Sequence, residues 1–253
     1  MVYFIGAGAG DPELLTIKGK KTIDRCDVII YAGSLVNKDL FSDIKSGAKL
    51  INSASLNLEE VLEIIYTADK SGFDIARVHT GDPSMYGAIR EQMIALDREA
   101  IEYEVIPGVS SVFAGAAALK REFTLPGVSQ TLILTRMEGR TPVPQAESIE
   151  NLAKIKSSMA ILLSIANIEK LSKKLMTSYE KDTPAAVVYK ASWNDQKIII
   201  STLENIAREV KKEGITKTAI VYVGRFLEDE FEMSRLYDKG FSHEFREAND
   251  AWR

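Results

Sequence analysis

The triplet Gly-Asp-Pro occurs twice, at residues 10–12 and 81–83, each time just after a short apolar run. Val2-Tyr3-Phe4-Ile5 leads to the first copy and Phe73-Asp74-Ile75-Ala76-Arg77-Val78 to the second. Each copy reads as a strand giving way to a helix: Gly permits the tight turn, Asp caps, and Pro suits the first helical position. Turns of this kind belong to the carboxyl edge of an α/β sheet, where ligands usually bind. Two such turns restrict the chain to folds built from strand–turn–helix units. The aspartates also serve helix capping, whatever the ligand.

Gly6-Ala7-Gly8-Ala9-Gly10 invites a dinucleotide reading. That fingerprint needs a third Gly or Ala three places after the second, and the chain has Asp11 there. A carboxylate at that point occupies the site a pyrophosphate needs. No acidic residue ends the second strand-like run, Val28-Ile29-Ile30-Tyr31-Ala32-Gly33. NAD and FAD are therefore not expected.

The chain alternates regularly through its first half. Strand-like runs fall at 2–6, 27–31, 48–51, 74–79 and 103–106. Between them, Leu58, Val61, Leu62 and Ile65 follow helical spacing behind Asn57 and Glu60, a capping-box pair. Such alternation predicts a largely parallel sheet covered by helices. After about residue 120 the pattern restarts. A connector at 121–127 precedes strands at 130–135, 159–163, 185–189, 198–200 and 219–223, helices through 168–175 and 203–210, and a Gly/Pro-rich loop at 136–145. The expected organisation is an N-terminal α/β domain over 1–122, a second over 123–230, and a charged tail over 231–253.

With 253 residues, 45% of them hydrophobic and 27% charged, the chain can bury a sizeable core. The net charge is −4, and no basic cluster suggests a nucleic-acid groove. No apolar run reaches membrane-spanning length. A single cysteine, Cys26, excludes an internal disulfide and fits a reducing, cytoplasmic setting. The two histidines, His79 and His243, are far apart, so no protein-bound metal is expected. His79 reads as a structural histidine at the end of a strand.

Three segments together resemble the tetrapyrrole (corrin/porphyrin) methylases: Gly6-Ala7-Gly8-Ala9-Gly10-Asp11-Pro12, Thr80-Gly81-Asp82-Pro83-Ser84-Met85-Tyr86-Gly87 and Ile106-Pro107-Gly108-Val109-Ser110-Ser111. They lie in the family's order and at similar spacing. Further segments resemble the subgroup that acts on ring carbon C11 of a corrin precursor: Tyr31-Ala32-Gly33-Ser34-Leu35-Val36, Leu134 to Pro144, Tyr189-Lys190-Ala191-Ser192-Trp193 and the tail at 234–246. The resemblance covers essentially the whole chain. It implies a class III methyltransferase of two α/β domains, with an S-adenosylmethionine site in the cleft between them. It also implies a homodimer and a small tetrapyrrole substrate.

By the same resemblance, the donor pocket comprises Gly81, Asp82, Pro83, Met85, Tyr86, Ser110 and Ser111, with Leu163 and Ala186 closing over the adenosine. Pro12 belongs to the same pocket, and its turn at 10–12 shapes the cleft that the macrocycle enters, with Pro12 at its edge. A cationic sulfonium donor suits carboxylates and carbonyls better than a phosphate cradle does. The acceptor carries several carboxylates, for which Arg136, Arg140 and Lys190 are the candidate partners and Tyr31, Ser34 and Leu35 the cleft lining. Arg90 is a weaker candidate. No residue is named as a general base. A sibling enzyme acting on another ring carbon, and a non-catalytic tetrapyrrole carrier, remain open readings.

Overall fold

The computed structural model describes residues 1–248, apart from the side chains of Ser34 and Tyr237. Contacts divide the chain into two units: residues 1–118 with 190–197, and residues 119–189 with 198 onward.

The first unit carries strands β1 (Val2–Gly6), β2 (Val28–Tyr31), β3 (Lys49–Asn52), β4 (Ile75–His79) and β5 (Tyr103–Ile106) in the order β3-β2-β4-β1-β5. All four pairings are parallel. The helices of this unit are α1 (Ile17–Arg25), α2 (Leu58–Lys70), α3 (Ile89–Arg98) and α4 (Ser111–Leu119), whose last residue falls in the second unit. β1 and β4 are buried at every position because both sheet faces are covered, and β4 takes Arg77 and His79 into the interior beside its apolar residues. Val2, Phe4, Val28, Ile30 and Ile75 pack with Val61, Ile65 and Leu96 of α2 and α3. Tyr3, Ile5, Ile29, Ala76 and Val78 pack with Ile23 of α1 and with Leu40 and Phe41. The capping box of α2 forms in full: the Glu60 N–H donates to Asn57 Oδ1 at 2.9 Å and the Asn57 N–H to Glu60 Oε2 at 2.8 Å.

The chain leaves β1 toward β2 on one side of the sheet order and leaves β4 toward β5 on the other. β1 and β4 are neighbours, so their carboxyl ends form a topological switch point, the usual place for a ligand in open α/β sheets.

The second unit contains β6 (Leu132–Arg136), β7 (Ser158–Leu162), β8 (Pro184–Tyr189), β9 (Lys197–Thr202, whose first residue falls in the first unit) and β10 (Ala219–Val223), ordered β6-β7-β10-β8-β9. This sheet is mixed: β6 and β7 are parallel, while β10 runs antiparallel to β7 and β8. Its core joins Met159, Ile161, Val187 and Val221 to α5 (Ile149–Ala153), α6 (Ile168–Leu175) and α7 (Ile206–Lys212) through Ile149, Leu171, Leu175, Ile206 and Val210. In the tail, Arg246 Nη2 donates to the carbonyls of Leu236 at 2.6 Å and Asp238 at 2.8 Å. The last five residues of the 231–253 tail lie outside the described residues.

One local expectation changes. The first Gly-Asp-Pro opens a single 3-10 turn, Pro12–Leu14, with Asp11 as its cap. The second opens a turn, and α3 starts only at Ile89. The delay has a backbone cause. Tyr86 and Ala88 both take left-handed φ values, 57° and 50°, which interrupt right-handed helix.

Candidate active site

Three glycine-bearing turns meet at the carboxyl edge of the first sheet. Gly8 and Gly81 form an isolated antiparallel bridge, with the Gly81 N–H donating to Gly8 O at 2.9 Å and the Gly8 N–H to Gly81 O at 3.3 Å. The two Gly-Asp-Pro loops, about seventy residues apart in sequence, are thus joined backbone to backbone. The third turn closes on them. A Cβ on Gly108 would sit 2.2 Å from Gly81 O, and one on Gly6 would sit 2.6 Å from Gly108 Cα. No other residue type fits at either place.

Asp82 clamps this junction. Its Oδ2 accepts from the Gly108 N–H at 3.0 Å, and its Oδ1 accepts from the Ser84 N–H at 2.9 Å and the Ser84 hydroxyl at 2.5 Å. Burial opposes its ionisation, but these bonds outweigh burial and hold the carboxyl below its usual range. Asp82 therefore spends most of its acceptor capacity inside the turn. Pro83 is buried, Met85 half-buried and Tyr86 exposed. Ser110 is buried and caps α4, its Oγ accepting from the Val112 N–H at 3.3 Å; Ser111 follows it, half-buried.

At the first copy, Asp11 Oδ1 accepts from the Glu13 N–H at 2.9 Å, and Pro12 is half-buried. The segment 190–197 belongs to this unit and bears on the same turn. Trp193 Nε1 donates to Ala9 O at 3.1 Å, and the Asp11 N–H donates to Ser192 Oγ at 3.0 Å. Lys190 Nζ lies 2.5 Å from Asp195 Oδ2 and 5.7 Å from the centre of the Trp193 ring. Tyr31 is buried against Phe41, with ring centres 5.2 Å apart. Leu35 is exposed, and the Ser34 side chain lies outside the described residues.

His79 ends β4 immediately before the second turn. It is buried, and its Nε2 has no hydrogen-bond partner among the described residues. Burial, reinforced by neighbouring Arg77, pushes its pKa down to about 3, so the imidazole is neutral at physiological pH. Arg77 is itself buried, donating to Gln92 Oε1 at 3.2 Å and Ile30 O at 3.3 Å.

In the second unit, the structure gives Arg136 an internal job. Its guanidinium donates to Thr141 O at 3.2 Å and Pro142 O at 2.8 Å, so the fork expected for a substrate carboxylate shapes its own loop. Glu138 fastens the same loop to α6 through Lys174 at 3.0 Å and Lys170 at 3.2 Å. The Lys174 bond leads the causes that bring the Glu138 carboxyl down to about 2. Met137 N–H donates to buried Ser164 Oγ at 2.9 Å. Arg140 is left exposed in this braced loop, with no bonded partner among the described residues.

Leu163 is 72% exposed and sits at φ 54°. A left-handed leucine costs about 1–2 kcal/mol, and burial does not offset it here. Strain spent on displaying an apolar side chain is a signature of binding sites. Ala186 shows the opposite: it has no exposed surface and is a packing residue within the second sheet. Arg90 is exposed on α3. Sequence reading gave no role to Asn37, Glu138, Ser164 or Trp193, because each acts on a partner remote in the chain.

The three turns at 6–12, 80–87 and 106–111 contain two carboxylates and no Lys, Arg or His. Their chemistry suits a cationic ligand and opposes a phosphate. Among the described residues no group of three or more His, Cys, Asp or Glu is placed to hold a metal ion, and no helix is long and apolar enough to cross a membrane.

Comparison with known proteins agrees with this arrangement. The family model of the tetrapyrrole (corrin/porphyrin) methylases matches residues 1–207. The cobalt-precorrin-4 C(11)-methyltransferase of Methanocaldococcus jannaschii is 54% identical over 250 residues, 98% of this chain and 96% of that protein. The X-ray structure of a cobalamin biosynthetic enzyme, cobalt precorrin-4 methyltransferase, superposes with a TM-score of 0.88 at 46% identity, covering 90% of this chain and 95% of that one. A uroporphyrin-III C-methyl transferase from Thermus thermophilus, complexed with S-adenosyl homocysteine, has the same fold: TM-score 0.75 at 22% identity, covering 89% and 98%. The chain belongs to the tetrapyrrole methylases.

Proposed function

We propose that the protein transfers a methyl group from S-adenosylmethionine to C11 of precorrin-4, as the cobalt complex or metal-free, giving the corresponding precorrin-5 and S-adenosylhomocysteine in corrin-ring synthesis. The observation that carries the reading is the convergence of three turns free of Lys, Arg and His at the switch point between β1 and β4, on a chain 54% identical to a cobalt-precorrin-4 C(11)-methyltransferase. The bound donor supplies a sulfonium methyl for in-line displacement at carbon.

The protein's task is alignment and exclusion of water, worth roughly 7–11 kcal/mol when fully exploited. Gly81, Pro83, Met85, Tyr86, Ser110 and Ser111 form the donor wall, with Asp82 holding it in shape. Leu163 presents its apolar side chain to the adenosine. Arg140 pairs with a macrocycle carboxylate, and Pro12, Leu35 and Tyr31 border the acceptor. No residue is assigned as a base, because an electron-rich macrocycle carbon attacks a sulfonium methyl directly. The working form is taken to be a cytoplasmic homodimer without a protein-bound metal, as the family implies.

The test is turnover with carbon-13 methyl donor and precorrin-4, in separate cobalt-containing and metal-free arms. One added methyl at C11 by mass spectrometry and NMR is the expected product. Methylation at another ring carbon refutes the C11 assignment, and donor that is never consumed refutes the enzymatic reading.

A further inference from the structure

We infer that Ser192 and Trp193 are positioning residues for the methyl acceptor, acting through the Gly10-Asp11-Pro12 turn; the inference deepens the proposed function and rests on it. One backbone group on each of three consecutive residues, Ala9, Gly10 and Asp11, is satisfied by a side chain. Ala9 O accepts from Trp193 Nε1, Gly10 O accepts from Asn37 Nδ2 at 3.0 Å, and the Asp11 N–H donates to Ser192 Oγ. Two of the three come from the strap 190–197, more than 180 residues further along the chain.

The fit between strap and turn is steric as well as polar. Gly10 has φ 146°, and a Cβ there would lie 2.0 Å from Trp193 Nε1. The indole therefore fills the space that any side chain at position 10 would take. The strap is itself held in a fixed shape. Ser192 adopts a left-handed φ of 67°, and its N–H donates to Gln196 Oε1 at 2.8 Å. The Trp193 N–H donates to Lys190 O and the Gln196 N–H to Trp193 O, both at 3.0 Å. Lys190, with its ammonium over the ring and paired to Asp195, completes the brace.

The apolar clusters built on β1, β2 and β4 described above contain no strap residue, and within the strap Ala191 alone among 190–193 is a buried hydrophobic. Losing one strap bond therefore loosens the turn while leaving the sheet packed. Pro12 closes the turn, and its ring fixes φ, so a displaced Asp11 carries the acceptor border with it.

The experiment compares wild-type protein with Trp193→Phe, which keeps a ring and loses the N–H, and with Ser192→Ala. Hydrogen exchange over residues 6–15 reads the turn, calorimetry with S-adenosylmethionine reads the donor, and steady-state kinetics with precorrin-4 reads the acceptor. The expected result is faster exchange at the turn, a precorrin-4 KM raised about five- to twentyfold as for one lost hydrogen bond, and kcat and donor affinity within about twofold of wild type. Unchanged acceptor KM, or parallel losses of donor affinity, acceptor affinity and thermal stability, overturns the inference alone. Wild-type protein that does not methylate precorrin-4 overturns the functional reading and this inference together.

Discussion

Acidification should weaken the first unit through a single imidazole. His79 is neutral and buried in the folded state, with its pKa near 3 against the ordinary 6.5. Between those two values the unfolded chain binds a proton that the folded chain refuses. Stability from this group is therefore complete above pH 6.5 and falls as pH drops toward 3. The slope is at most about 1.4 kcal/mol per pH unit, which gives roughly 2.7 kcal/mol by pH 4.5 and a ceiling near 5 kcal/mol. A fall of this size is a large fraction of the stability of an ordinary domain. Urea unfolding at pH 7.5, 6.5, 5.5 and 4.5 measures it, with His79→Leu as the comparison, because leucine fills a similar volume and cannot titrate. The Glu138 contribution, from a carboxyl brought down to about 2, is lost only below about pH 4.5 and leaves this window clear. Wild type should lose stability across the window while His79→Leu stays nearly flat. Equal slopes in the two proteins, or an imidazole proton resonance of His79 that titrates near pH 6.5, would refute the argument.

Asp82→Ala leaves the Gly108 N–H without its acceptor and should destabilise by about 1–3 kcal/mol in urea unfolding, whereas Asp82→Asn keeps an oxygen there and should lose less. Arg140→Ala should raise the precorrin-4 KM roughly tenfold, about 1.4 kcal/mol, with the melting temperature unchanged; a normal KM would remove Arg140 from the acceptor site. Leu163→Gly relieves a left-handed leucine and should raise stability by up to about 1 kcal/mol while weakening donor binding in calorimetry. A variant that is less stable and binds donor normally would show that the exposed leucine serves packing.

Much of the fold was legible because its signals are local. The apolar run of β1 is buried on both faces and so reads as a strand without alternation, while β4 is buried at every position although it carries Arg77 and His79. The Asn57–Glu60 box is written within four residues, and both of its bonds form. Contacts spanning long stretches of chain were not legible. Asp82 could be read as a cap, but nothing near it announces that Gly108 is its partner. Arg136 looked like a free fork because its acceptors are carbonyls, which every residue has. Leu163 looked like the last residue of a strand; β7 stops at Leu162, and the next residue turns left-handed. The missing α3 start has the same origin, since left-handed Tyr86 and Ala88 are unusual for their residue types.

The strap also bears on the order in which a ribosome can deliver this protein. Strands β1 to β5 are all synthesised by residue 106, yet Ser192 and Trp193 leave the ribosome some eighty residues later. At roughly 5–20 residues per second, that interval lasts several seconds. Throughout it Ala9 O and the Asp11 N–H lack their side-chain partners, and the first glycine turn remains open. A chain truncated after residue 118 should keep its parallel sheet and an unfastened turn. Translation itself thus schedules the glycine turns: those at 80–87 and 106–111 are complete early, and the turn at 6–12 is fastened to its strap late.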